Sequence, residues 1–127
     1  MHGLFGSGTN WSGIARQLST DYYVLVPDLR NHGRSPHTEL MTYTAMTHDL
    51  LALLDKEQLA QATLIGHSMG GKLAMRLALL APQRITALAV VDIAPVTYNH
   101  NLDKFFNAFN CVDLNTCLLY TSPSPRD

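Results

Sequence analysis

The chain has 127 residues, of which 46% are hydrophobic and 15% charged, and nine Lys or Arg against ten Asp or Glu leave a net charge of −1. Enough apolar residues are present to fill the core of one globular domain, and no basic excess exists to follow a phosphate backbone, so nucleic acid is not an expected partner. No apolar run approaches the roughly 18 residues of a membrane helix, so no membrane span is expected. Cys111 and Cys117 fall near the C-terminal end, and a Cys-free first hundred residues fit a reducing, cytoplasmic setting better than a secreted disulfide framework.

Residues 1–9 (MHGLFGSGT) carry three glycines and no periodicity, and are expected to form a loop. From Asn10 to Leu18, the spacing of Trp11, Ile14, Ala15 and Leu18 predicts a helix, with Asn10 as its cap. The run Tyr22 to Val26 is aromatic and β-branched and stops at Pro27, which predicts a buried strand. Residues 28–40 (DLRNHGRSPHTEL) hold turn-forming residues and predict a loop. Thr42 caps an expected helix with Met46, Leu50, Leu53 and Leu54 on one face. A strand is predicted over Ala62–Ile65, and a helix over Gly70–Leu80 that stops before Pro82. A second strand, Thr86–Val91, is continuously apolar, as in a parallel sheet covered on both faces. Strands alternating with helices predict an α/β fold with a parallel sheet flanked by helices.

Gly66-His67-Ser68-Met69-Gly70 is a G-x-S-x-G between a strand pattern and a helix pattern. That context is what a nucleophile elbow needs: a turn so tight that Ser68 adopts a strained, positive-φ conformation and projects its hydroxyl. The neighbours two residues away must lack bulk, hence Gly66 and Gly70, and Gly71 lets the helix approach the sheet. The helix N-terminus beneath the serine favours developing negative charge. An acyl-transfer oxyanion also needs two N–H donors. Met69, which follows the nucleophile, is expected to supply one, and the His2-Gly3-Leu4-Phe5-Gly6-Ser7 loop the other, with Leu4 the first choice and Phe5 the next. Asp92 follows the last strand and is well placed to orient a histidine. Asp28 follows its own strand pattern, but its neighbours suit a hydrogen-bonded turn.

The segments HGLFGS, DLRNHGRSPH, GHSMGG and VVDIAP, in this order, resemble the α/β-hydrolase superfamily and, within it, the YbfF-type esterase branch; D-x-R-N-H-G-x-S-P is the more specific part. The resemblance covers residues 1 to about 116. It implies a serine esterase or thioesterase acting on small acyl esters or thioesters such as acyl-CoA. Ser68 is then the nucleophile and Asp92 matches the triad acid, although other branches place the acid one strand later. No metal or organic cofactor is expected: His32 and His37 lie five apart on a loop, with no Cys or acid completing a site. Other chemistry on the same fold, C–C bond hydrolysis or perhydrolysis, and a non-catalytic ligand-binding relative are the alternatives.

The resemblance also implies what the chain lacks. The superfamily's strands 1–3 and 7–8 have no counterpart here, so the chain reads as a fragment: residues 1–94 a partial core, 95–116 the opening of a cap, and 117–127 a tail that resembles a translated sequencing adapter. Strand 3 would bridge the strand at Tyr22–Val26 and the one before Ser68, so a gap in the ladder is expected, and with it an unstable chain. None of the six histidines matches the superfamily's base. His67 adjoins the nucleophile but should point away, His2 and His32 are expected to brace loops, and His37 and His48 to lie on the surface. By itself the chain is expected to be inactive.

Overall fold

The computed structural model describes residues 1–96 and Asn107. The chain divides into two compact units, Met1–Pro95 and Val96–Asp127. The cap and tail expectations for 95–116 and 117–127 lie outside the described residues, apart from Pro95, Val96 and Asn107.

The first unit is built on a β–α–β core. Strand β1 (Ala62–His67) leads through Ser68 into helix α3 (Met69–Leu80), and β2 (Ile85–Val91) returns parallel to β1. The register runs from Thr63 opposite Ala87 to His67 opposite Val91, after an irregularity at Ala62. Helix α3 forms because Leu, Ala and Met dominate its sequence, and a short 3₁₀ turn beginning at Pro82 follows it. Its Leu73, Ala74 and Leu77 are fully buried. Helix α2 (Tyr43–Lys56) adds Met46 and Leu50 to the same core, which Leu64 of β1, Leu29 and Ala81 complete, and it also buries Leu54. Thr42 caps α2 as expected, its side chain accepting from the Ala45 N–H at 3.2 Å. The α/β class and the parallel sheet of the sequence reading are therefore present.

Three expectations need correction. Residues 23–29 are without regular structure, and Tyr22 and Tyr23 are 68% and 69% exposed. A strand exists only with a ladder partner, and no described strand lies beside this segment. Likewise, β2 is not covered on both faces. Thr86, Ala87, Leu88 and Ala89 are exposed, because β1 takes one edge of β2, α3 packs on the pair, and no second layer is among the described residues. The first helix also starts differently. A 3₁₀ turn, Gly8–Trp11, precedes α1 (Ser12–Leu18), and Asn10 reaches back to accept from the Ser7 N–H at 2.7 Å rather than capping α1.

The free edge of β1 is met by the first residue of the chain. The Met1 ammonium donates to the Ile65 carbonyl at 2.6 Å, and the Met1 carbonyl accepts from the His67 N–H at 3.1 Å. This is the bond pattern of a parallel bridge about Gly66. Burial lowers the Met1 ammonium pKa to about 6.

Candidate active site

Ser68 sits at the end of β1 with φ 51° and ψ −117°, the strained positive-φ turn expected from the motif. Its N–H donates to the Val91 carbonyl at the end of β2, and its carbonyl accepts from Gly71 and Lys72 in the first turn of α3. The sheet end and the helix start thus hold the residue from both sides. The Ser68 hydroxyl has no hydrogen-bond partner among the described residues, and α3 begins at the next residue, its N-terminus facing the serine.

Backbone packs against backbone here. A Cβ on Gly66 would strike the Gly70 carbonyl group and come within 2.7 Å of the Gly71 nitrogen. A Cβ on Gly70 would lie 2.6 Å from the His2 carbonyl oxygen. The His2–Gly3 segment therefore rests directly on the first turn of α3. Gly3 is so close to Ser68 that a Cβ there would stand 3.2 Å from the Ser68 Cβ. Gly71 is tight as well, although the nearest atom to its Cβ position belongs to Ile93.

Gly3–Gly6 is a β-turn closed by the Gly6 N–H donating to the Gly3 carbonyl at 3.1 Å, with Phe5 at φ 60°. The Phe5 N–H donates to His32 Nε2 at 3.3 Å. Of the two expected loop donors, Leu4 is the one whose N–H has no partner among the described residues, and the Met69 N–H has none either.

Asp92 follows Val91 directly, at the same end of the sheet as Ser68, with φ 54°. Its carboxylate is 84% exposed and lies 3.5 Å from His67 Nε2. The His67 ring turns toward Asp92 and Gly3, and no hydrogen bond joins it to Ser68. His67, Gly3, Leu4, Phe5, Trp11 and Val91 line part of an open pocket of about 470 Å³ beside the turn. Ser68 is not among its lining residues, so the pocket adjoins the Ser68 turn without containing it.

The loop 28–38 is a scaffold for the turn above it. Asp28 accepts from the Gly8 N–H at 2.6 Å and the Arg34 N–H at 2.9 Å, and Ser35 donates to its carbonyl. Arg30 makes a two-pronged pair with Asp49 of α2 at 2.6 and 2.7 Å and also donates to the Leu40 carbonyl. Asn31 exchanges two hydrogen bonds with Thr38. Sequence reasoning missed the Arg30–Asp49 clamp, because the partners belong to different elements. The signal available was the density of Asp, Asn and Ser that bind nearby backbone. The turn reading of Asp28 holds.

The backbone N–H groups of Arg34 and Gly8 hold the Asp28 carboxyl below its ordinary range. Its contribution to stability is therefore present above the unfolded carboxyl pKa of about 4 and is lost as pH falls through the lower folded value. In urea titrations against pH, the advantage of the parent over Asp28→Asn should shrink in that acidic window. An advantage that is constant down to pH 2 would refute the assignment.

A strand, a positive-φ serine and a helix follow one another here, with a glycine turn packed on the serine, the geometry expected of the G-x-S-x-G segment. The model of the alpha/beta hydrolase fold family matches residues 1–110. The chain belongs to this superfamily, in its YbfF-type branch. It is 49% identical over 113 residues to the esterase YbfF of Escherichia coli (strain K12), covering 88% of this chain and 44% of that protein. It is 50% identical over 97 residues to the sn-1-specific diacylglycerol lipase ABHD11 of Danio rerio, covering 75% of this chain and 31% of the lipase. Among solved structures, a marine microorganism esterase superposes with a TM-score of 0.84 at 40% identity, over 89% of this chain and 46% of its own. The chain thus spans less than half the length of each of these relatives. No helix among the described residues is long and apolar enough to cross a membrane.

Proposed function

We propose that this chain carries the nucleophile half of a serine hydrolase that cleaves small carboxylic esters or acyl thioesters. The carrying observation is Ser68 itself, held at positive φ between β1 and α3, with the Gly3–Gly6 turn packed against its Cβ. Ser68 attacks the acyl carbonyl, and the N–H groups of Met69 and Leu4 receive the oxyanion. Asp92 orients a histidine that takes the serine proton and returns it to the leaving group, and water then releases the acid from the acyl-enzyme. None of the histidines among the described residues is bonded to Ser68, which supports a base supplied from elsewhere in the protein. The ester-cleaving activities in the names of two relatives support the reaction class, and a cytoplasmic setting belongs to the same reading.

A fluorophosphonate reagent, which phosphonylates activated serines, is the direct test. In the full-length protein, which carries the base, labelling should map to Ser68 by mass spectrometry, and p-nitrophenyl butyrate or butyryl-CoA should be hydrolysed. Turnover without modification of Ser68, or neither turnover nor labelling, would overturn the reading.

A further inference from the structure

Two histidines join the glycine turn to the loop beneath it in a reciprocal way. His2, only 1% exposed, places Nδ1 2.8 Å from the Gly3 carbonyl and Nε2 3.0 Å from the Leu29 N–H. His32, also buried, places Nδ1 2.9 Å from the Arg30 carbonyl and Nε2 3.3 Å from the Phe5 N–H. A carbonyl only accepts and an N–H only donates. Each ring must therefore carry its proton on Nδ1 and present a bare Nε2. His2 reaches from the turn to hold an N–H of the lower loop, and His32 reaches from the lower loop to hold an N–H of the turn. The ring centroids are 5.0 Å apart.

From this clasp we infer that His32 is a positioning residue for the oxyanion loop. Its neutral imidazole binds the Phe5 N–H and fixes the Gly3–Gly6 turn with the Leu4 N–H left for substrate. The inference rests on the serine-hydrolase reading. Phe5 explains why a tether is needed. A non-glycine residue at φ 60° costs about 1 kcal/mol or more, so the turn would relax without a fixed partner for its N–H. Protonation of either ring would set a new N–H against a backbone N–H and open the clasp. The charged groups facing His2 are the Asp28 carboxylate, which favours the cation, and the Met1 ammonium, which opposes it together with His32. Burial is the largest influence and lowers the His2 pKa, so the neutral ring that the clasp requires is favoured. Arg30 and Arg34 each lie two residues from His32; Arg30 is directed at Asp49 and Leu40, and Arg34 is exposed.

The test compares His32→Leu, His32→Gln and Ser68→Ala, each in the full-length protein, in the hydrolysis of p-nitrophenyl butyrate at pH 8, with unfolding midpoints for each. Because a misplaced oxyanion donor acts on the transition state, His32→Leu should lower kcat about 10- to 100-fold with KM within about 2-fold of the parent. His32→Gln should restore kcat to within about 3-fold of the parent, since an amide oxygen can accept where Nε2 did. A folded His32→Leu protein at parental kcat overturns the inference, as does a folded His32→Gln protein no better than His32→Leu. The ¹⁵N imidazole shifts of the unaltered protein decide the matter even if His32→Leu does not fold. A neutral ring protonated on Nδ1 supports the clasp, and a proton on Nε2 at pH 8 refutes it. If Ser68→Ala hydrolyses the ester at the parental rate, the serine reading fails, and the shifts still judge the clasp.

Discussion

Exchange of Ser68 for Ala is expected to lower kcat for ester hydrolysis by about four orders of magnitude or more, because triad members act as a unit and loss of the nucleophile removes the covalent route. The proposed oxyanion donors are backbone N–H groups of Met69 and Leu4, so they survive the change, and KM should move little. Stability should also be close to the parent's. Ala keeps the same strained φ of 51° and loses only a hydroxyl that has no partner among the described residues. A steady-state assay beside a urea titration separates the two effects. An Ala variant that is inactive only because it is unfolded would show a collapsed transition, and one that retains most of its kcat would end the role given to Ser68.

The second large effect falls on the fold. Gly66→Val should destabilise the protein by about 3 kcal/mol or more, a size reserved for clashes that cannot relax. The new Cβ would meet the Gly70 carbonyl group and stand 2.7 Å from the Gly71 nitrogen, all backbone atoms in the first turn of α3. A side chain could rotate away; this turn is anchored by its hydrogen bonds to Ser68 and by the His2 and Met1 carbonyls packed on Gly70. To admit a methyl group, α3 would have to lift from β1 and expose Leu73 and Leu77, which are fully buried. The shift in the denaturation midpoint measures the cost, and a Val variant unfolding at the parental midpoint would show that β1 and α3 are not so closely apposed.

What could be read ahead of the structure was local. The β1–Ser68–α3 unit was legible because strand, turn and helix are contiguous, and because positive φ at the serine follows from turn geometry alone. The Thr42 cap was legible for the same reason, since a cap bonds three residues away. The bracing role of His2 and His32 could be expected from their place in glycine turns. Their partners could not, because Leu29 and Phe5 each lie 27 residues from the ring that binds them. The strand expected at Tyr22–Val26 failed for a related reason. Aromatic and β-branched residues favour an extended chain, but whether it joins a sheet depends on a neighbour with free N–H and C=O groups.

By itself, then, the sequence of this chain determined its α/β class, the strand–Ser68–helix turn and the Thr42 cap. Each of these follows from spacings of a few residues, where chain geometry leaves little choice. Only the tertiary structure decided that Gly3 lies against the Ser68 Cβ, that His32 takes the Phe5 N–H while the Leu4 N–H has no partner among the described residues, that Met1 bridges the edge of β1, and that Thr86 to Ala89 of β2 are exposed. Those outcomes join segments far apart in sequence. Closing such loops costs entropy that only the packed core repays, so the core selects which long-range contacts exist.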